Sequence, residues 1–304
     1  IEFEIFVATL VKKQEELNKI HRNVIQEIFY LLDRNGDETL TKREIMAGMR
    51  NTKVKELVTK HPFLTILLDT RKWKDSFDAM DTSNDGTVNL VEFEAFCSVL
   101  SESDEKERLK VANKKAKEAN IGDIIVAAED QEIVDNVKRN GFNAILTSNT
   151  HKTGTDRIHE AFKKSNIKNV EFIMNLQGDE PAINVEDMIN LNNKMIKNNS
   201  NLGTLAARLQ NSNDLKNENL VKVITDEDLQ KDNFPKAISF SRKSENKDNI
   251  YHHVGIYCYS TDTLEKFVKL NQSKNEIKNR LEQLRALDNN IEINVALASS
   301  SPIG

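Results

Sequence analysis

The twelve residues Asp81-Thr-Ser83-Asn-Asp85-Gly86-Thr87-Val88-Asn89-Leu-Val-Glu92 constrain this chain more than any other stretch. Oxygen-bearing residues fall at the first, third, fifth, seventh, ninth and twelfth places, with glycine at the sixth. A hard cation that takes six to eight oxygens needs that density of donors, with a bidentate carboxylate last. Asp81, Ser83, Asp85, the Thr87 carbonyl, Asn89 and Glu92 supply it, and Gly86 takes the sharp turn. Helical patterns at 72–80 and 92–100 set the loop between two helices. A solvated acidic turn needs neither the spacing nor the flanking helices. Calcium is the cation that this donor set suits.

A second version stands at Asp33-Arg-Asn35-Gly-Asp37-Glu38-Thr39-Leu40-Thr41-Lys-Arg-Glu44. Asp33, Asn35, Asp37, Thr39 and Glu44 are the metal ligands there, and Leu40 matches Val88 as the apolar residue by which two such loops pair. Glu38 departs from the pattern, because glycine is expected at its place. A side chain forced into the left-handed region costs roughly 1–2 kcal/mol, so this loop is expected to be a weaker site or a structural one. Both loops resemble the EF-hand family, and the resemblance covers residues 1–100. The opening Ile1-Glu2-Phe3-Glu4-Ile5-Phe6 repeats Val91-Glu92-Phe93-Glu94-Ala95-Phe96. Glu2 therefore reads as the last ligand of an earlier loop, with coincidence between two amphipathic helix starts as the alternative. Apolar spacing at Phe6, Leu10, Leu17, Ile20, Val24, Ile28 and Leu31 predicts helix over 4–32.

Residues 101–110 are polar and predict a linker, itself compatible with helix. Beyond it the pattern changes. Short apolar runs at 124–127, 144–147, 170–176 and 202–209 alternate with helical stretches near 130–139, 155–164 and 185–197. That alternation predicts a mostly parallel sheet flanked by helices. Strands at 221–225, 237–242, 253–259 and 291–298 and a helix over 276–288 complete the expected fold. The fold class is thus multidomain: an all-α loop pair, then an α/β, Rossmann-like mixed sheet over 111–304.

Composition supports the division. The chain carries a formal charge of −5, and residues 1–105 hold all of the acidic excess. The remainder is near neutral without a basic stripe, which argues against nucleic-acid binding. Asparagine rises from 6 in residues 1–105 to 29 afterwards, a shift expected of segments of different origin. No apolar run reaches the roughly 20 residues of a membrane helix. Cys97 and Cys258 lie in different halves, which predicts reduced thiols and a cytoplasmic protein.

Asp179 follows the apolar run 172–176, and a carboxylate at the carboxyl end of a parallel strand faces the crevice where α/β folds bind ligands. Taken alone it is more often a turn residue. Its surroundings decide: residues 111–304 resemble 3-deoxy-manno-octulosonate cytidylyltransferase (CMP-Kdo synthetase), a nucleotide-diphospho-sugar-transferase-like fold. The resemblance rests on Lys152-Thr-Gly154-Thr155-Asp156-Arg157, Gln177-Gly178-Asp179-Glu180-Pro181, Phe240-Ser241-Arg242, His253-Val-Gly255-Ile-Tyr257 and Leu281-Glu282-Gln283-Leu284-Arg285-Ala286-Leu287. It implies an enzyme that joins CMP from CTP to the eight-carbon sugar acid Kdo, a lipopolysaccharide precursor, and releases pyrophosphate. It also implies Mg²⁺ on Asp179, Gln177 by the cytosine and sugar, and Arg157 near the nucleotide. Arg242, His253, Tyr257, Glu282 and Gln283 would hold the acidic sugar, and a homodimer is the implied assembly.

Simpler roles compete for several of these residues. Thr155 and Asp156 also fit a helix cap, Glu282 and Arg285 a surface helix pair, and Arg242 a salt bridge. His252 and His253 alternate across a strand, so only one is expected to line a pocket.

Two departures from the family are expected to matter. The family's opening strand and its Pro-Ala-Arg … Gly-Lys phosphate loop have no counterpart near Val111, where the resemblance begins. The Val-Asp-Thr stretch with the second metal ligand would lie past Gly304. The expected enzyme is therefore incomplete and impaired. The alternatives are a calcium-binding protein with a passive transferase segment, and a join of two unrelated sequences.

Overall fold

The computed structural model describes residues 4–10, 14–177, 183–244 and 248–300. It divides into two compact units, and the division is not sequential. One unit comprises Ile1–Val11 with Arg108–Gly304, and the other is Lys12–Glu107. The loop pair is thus inserted into the α/β unit, where residues 1–100 were expected to form a separate leading domain.

The chain opens with strand β1 (Glu4–Leu10). Helix was expected here, and the repeat with 91–96 required it. The difference arises from long-range pairing. β1 is parallel to β4 (Asp123–Ala128) on one side and to β6 (Val170–Gln177) on the other. Helical spacing over seven residues cannot compete with hydrogen bonds along both strand edges. The central strand expected to be missing is therefore present, supplied by residues 4–10. Glu2, the proposed earlier ligand, lies outside the described residues.

In the inserted unit, α1 (Gln14–Leu32) leads through β2 (Thr39–Leu40) to α2 (Lys42–Gly48) and α3 (Thr52–Thr59). After them come α4 (Trp73–Met80), β3 (Val88–Asn89) and α5 (Leu90–Ala119). Two of the short helices have a cap in the sequence: Thr41 and Glu44 form a capping box on α2, and Asn51 caps α3. Leu40 pairs with Val88 across β2 and β3, as the sequence predicts. Both are fully buried in a core with Ile28, Phe29, Leu32 and Phe93. The linker expected at 101–110 lies within helix α5.

The α/β unit continues from β4 through α6 (Gln131–Arg139), β5 (Asn143–Leu146) and α7 (Gly154–Ser165) to β6. Then follow α8 (Val185–Asn198), β7 (Leu202–Ala207), β8 (Lys222–Thr225), β9 (Ala237–Ser241) and β10 (Ile250–Ser260). The last elements are α9 (Thr261–Phe267), α10 (Lys274–Asn279), α11 (Leu284–Asp288) and β11 (Asn294–Leu297). The expected helix over 276–288 is two helices, because Arg280 takes a left-handed conformation at φ 53° and ends the first. The sheet runs β11-β7-β10-β6-β1-β4-β5, with β8 and β9 joined to β10. Alternate residues of β6 and β10 feed two cores. Phe172, Met174, Ile256 and Cys258 face α8 and the end of α5, and Ile173, Tyr257 and Tyr259 face α7 and α9.

The asparagine excess has a structural use. Seven of the nine described non-glycine residues with positive φ are asparagines, among them Asn166 and Asn199 at the ends of α7 and α8. Asparagine tolerates the left-handed position that ends a helix.

Proline at Val7 would remove an N–H from a strand paired on both edges, at about 3 kcal/mol or more. Val7→Pro is expected to lower the melting temperature of the α/β unit, followed through its tyrosines. Trp73, the chain's single tryptophan, reports the inserted unit separately, and its transition should shift less. An unaltered tyrosine transition would place residues 4–10 outside the sheet.

Candidate functional site

Three places gather the residues that the sequence singles out. The first is the switch point of the sheet. From β1 the chain builds outward to β4 and β5, then returns to β6 on the other side of β1. Ligands of open α/β sheets bind outside the carboxyl ends of the strands flanking such a reversal. Those ends are Leu10 and Gln177, which are register partners. Gln177 is partly exposed there. Asp179 lies in 178–182, outside the described residues. Leu10 is also where the chain leaves the sheet for the inserted unit.

Beside it, at the carboxyl ends of β4 and β5, Arg157 is 2% exposed. Its guanidinium pairs with Glu129 and donates to Thr147 Oγ1 at 2.9 Å. These donors are committed to protein groups, so Arg157 braces the two strand ends. Thr153, rather than Thr155, caps α7, accepting from Asp156 N. Thr155 Oγ1 is instead sealed from solvent without a hydrogen-bond partner.

The second place lies on the α7–α9 face of β10. His253 and Tyr257 share that face with ring centres 5.4 Å apart, and Phe240 of β9 meets His253 edge-on at 5.1 Å. His253 Nε2 is 3.0 Å from Thr204 Oγ1, which itself donates to the Ile256 carbonyl. Burial, with His252 beside it, pushes the His253 imidazole down to about 3, so it is neutral. His252 faces the other way, towards Lys222. Both histidines are buried, so alternation separates them without leaving either in water.

Glu282 and Gln283 lie just before α11. The Glu282 side chain is 27% exposed, yet its Oε1 is sealed and without a hydrogen-bond partner. Burial pushes this carboxyl up to about 7, against the lowering pull of Thr153, Arg285 and Thr155. Its charge in turn helps raise the Tyr257 and Tyr259 phenols, after their own burial. Gln283 is buried. Arg242 ends β9, where its Nη1 donates to the Glu218 carbonyl at 3.1 Å. The fully buried Lys222 donates to the Arg242 carbonyl at 2.7 Å. Lys222, Tyr259 and Glu276 were not anticipated from the sequence. Only Glu276 carried a readable signal, the capping box Ser273-Lys-Asn-Glu276.

The third place is the loop pair. Both loops make the same internal bonds at equivalent positions. The first-place aspartates accept from the sixth-place N–H (Glu38 N to Asp33, 3.0 Å; Gly86 N to Asp81, 3.0 Å). The fifth-place aspartates accept from Thr39 N and Thr87 N, and the last glutamates from Thr41 N and Asn89 N. Thr39 holds the Asp37 carboxyl, and Thr87 the Asp85 carboxyl, below the usual value. The Asn89 N–H does the same for Glu92. Among the described residues no three acidic, His or Cys side chains converge as a metal cluster. The donors instead lie in loop order, and as an all-oxygen set they fit a hard cation. Glu38 takes φ 64°, where Gly86 takes 88°. The left-handed strain expected at Glu38 is present.

Residues 109–293 match the model of the family described as Cytidylyltransferase, and residues 22–98 that of the EF-hand domain pair. The 3-deoxy-manno-octulosonate cytidylyltransferase of Thermodesulfovibrio yellowstonii is 40% identical over 195 residues, 60% of this chain and 76% of that protein. Its namesake from Bartonella bacilliformis is 34% identical over 209 residues, 68% of this chain and 85% of that one. A solved CMP:2-keto-3-deoxy-manno-octonic acid synthetase complexed with CTP superposes with a TM-score of 0.57 at 29% identity. It covers 64% of this chain and 81% of its own.

His253 is held neutral, so the folded state binds fewer protons than the unfolded one between pH 6.5 and about 3. Its contribution to stability is complete above pH 6.5 and is lost as pH falls through that window. Glu282 has the opposite sign. Its folded form keeps the proton, so stability falls as pH rises from 4.5 through about 7. The two slopes oppose each other between 4.5 and 6.5, so in urea midpoints against pH His253→Gln should remove the rise below 4.5 and Glu282→Gln should unmask a rise that continues to 6.5. Variants with wild-type slopes would contradict the assignment. Separately, Glu38→Gly relieves roughly 1–2 kcal/mol of strain against glycine's added entropy of about 0.5–1 kcal/mol. Denaturation followed by Trp73 should show a net gain of up to about 1.5 kcal/mol, and a loss would show that Glu38 is unstrained.

Proposed function

The chain belongs to the cytidylyltransferase family, and on that premise we propose that its α/β unit binds CTP and Kdo as a CMP-Kdo synthetase does. The inserted EF-hand pair binds calcium. The observation that carries the first part is the sealed Glu282 Oε1, which lacks a hydrogen bond of good geometry, with Thr155, Tyr257 and Tyr259 beside it. A folded chain leaves few buried polar atoms unsatisfied, and each such atom calls for a partner. Hydroxyls of a sugar acid supply donors and acceptors of the needed kind.

In this reading CTP lies at the Leu10–Gln177 switch point, with Gln177 by the base. Asp179, two residues on, is the proposed Mg²⁺ ligand, and the metal would supply charge neutralisation on the triphosphate. Arg157 acts by holding the ends of β4 and β5. His253, Tyr257, Glu282 and Gln283 form the sugar end, and Arg242 serves the sugar carboxylate. A homodimer and a cytoplasmic location are carried over from the family as parts of the same proposal.

Turnover is expected to be weak. After β1 the sequence reads Val11-Lys12-Lys13 and passes into α1. No Pro-Ala-Arg … Gly-Lys loop stands there, and stabilisation of charge usually carries much of such catalysis. The pairing of residues 4–10 with β4 and β6 favours one working chain over a chance join.

Calorimetry with CTP and with Kdo tests the binding, and pyrophosphate release with Mg²⁺ tests the chemistry. Binding of both ligands with slow release is the expected result. No binding of either at millimolar concentration would end the transferase reading and leave a calcium-binding protein with a passive α/β unit. Calcium titration should reveal a site in the second loop that Asp81→Ala with Glu92→Ala abolishes. Unchanged binding in that double variant would remove the second loop as the site.

A further inference from the structure

Between α10 and α11 lies a buried charge arrangement that the sugar-end reading does not use. Glu276 is 4% exposed and Arg285 is 2% exposed. Arg285 donates from Nη2 to Glu276 Oε1 at 2.6 Å and from Nε to Oε2 at 2.9 Å. Glu276 also accepts from Ser273 N at 3.0 Å and Gln272 Nε2 at 3.2 Å. A carboxylate offers about four lone-pair sites, and Glu276 has four donors. Burial works against its charge, yet the bonds from Arg285 and Gln272 hold this carboxyl below its usual value. The guanidinium lies 4.7 Å from the centre of the Phe267 ring, which fixes it from another side.

Glu282 precedes Arg285 by three residues, but its Oε1 is 3.9 Å from Arg285 Nη2. That is beyond a hydrogen bond. The charged and titratable groups that face Glu282 come from four elements. They are Asp156 on α7, with the hydroxyls of Thr153 and Thr155, Tyr257 and Tyr259 on β10, Arg285 on α11, and Glu276 of α10 behind Arg285. Arg285 is the cation among them, and Glu276 already holds it.

We propose that Glu276 is a positioning residue for the sugar end. By clamping Arg285 in a bidentate pair, it keeps that guanidinium 3.9 Å from Glu282 Oε1, out of hydrogen-bond reach, so that the Glu282 carboxyl faces the site untied to a cation. A neutral carboxyl has an O–H to give and no charge with which to repel an anionic sugar. Without the clamp, Arg285 turns to Glu282, ionises it and ties it to the protein. The proposal deepens the sugar-end reading and rests on it for the ligand, but its first measurement needs no ligand.

Carboxyl titration of the full chain with ¹³C-labelled glutamate gives that measurement, with the Glu282 resonance assigned by its loss in Glu282→Gln. The wild-type midpoint is expected near 7, well above the exposed glutamates. Glu276→Gln should lower it by a unit or more. Glu276→Asp, which keeps the charge but shortens the reach, should lower it less, and it serves where Glu276→Gln does not fold. Kdo affinity in the wild type should weaken as pH rises through the Glu282 midpoint. Glu276→Gln should move that limb to lower pH by the same amount. A wild-type Glu282 that titrates with the exposed glutamates overturns the proposal. So does a midpoint unmoved in a folded Glu276 variant. A high midpoint that falls in the variants, together with no Kdo binding at any pH, would overturn the sugar-end reading while the clamp stands.

Discussion

The α/β unit depends on the pairing of β1 with β4 and β6. A central parallel strand contributes hydrogen bonds on both edges. It also defines where the sheet reverses direction, and so where a ligand belongs. Here that strand comes from residues separated from the rest of the sheet by the whole inserted unit. The position of Gln177 opposite Leu10, the bracing of the β4 and β5 ends by Arg157, and the two-sided core all presuppose that β1 is in place.

Polar groups in the α/β interior are arranged unevenly. Arg157 with Glu129 and Arg285 with Glu276 are closed pairs whose acceptors and donors are matched. Closed pairs of this kind contribute little net stability, since desolvation offsets much of their attraction. What they provide is a fixed position. Glu282 and Thr155 remain open against that background. That contrast between satisfied and unsatisfied groups is what the proposed sugar end rests on.

Much of this was legible in the sequence where the decisive forces are local. The Asp81–Glu92 spacing, the left-handed position of Glu38 and the Leu40–Val88 pairing follow from loop geometry over a dozen residues. The alternation after residue 120 revealed the sheet. Residues 4–10 were misread because their apolar spacing suits an amphipathic helix and imitates the helix start at 91–96. Their true partners lie more than a hundred positions away. The break at Arg280 escaped because helical spacing carries across it, while its backbone adopts a conformation that few side chains favour. The Glu276 clamp was half visible: Ser273 announced the cap, but nothing in sequence spacing reveals that Arg285 completes it.

The 96-residue separation between Val11 and Arg108 has a thermodynamic meaning of its own. To a sheet, an unstructured insertion is a long loop, and closing one of that length costs about 4 kcal/mol in chain entropy. In a folded insertion most of that cost has already been met by its own core. The central strand is therefore held by a tether whose effective length is set by whether the inserted unit is folded. Stability in the two units is linked through chain connectivity, whatever either one binds.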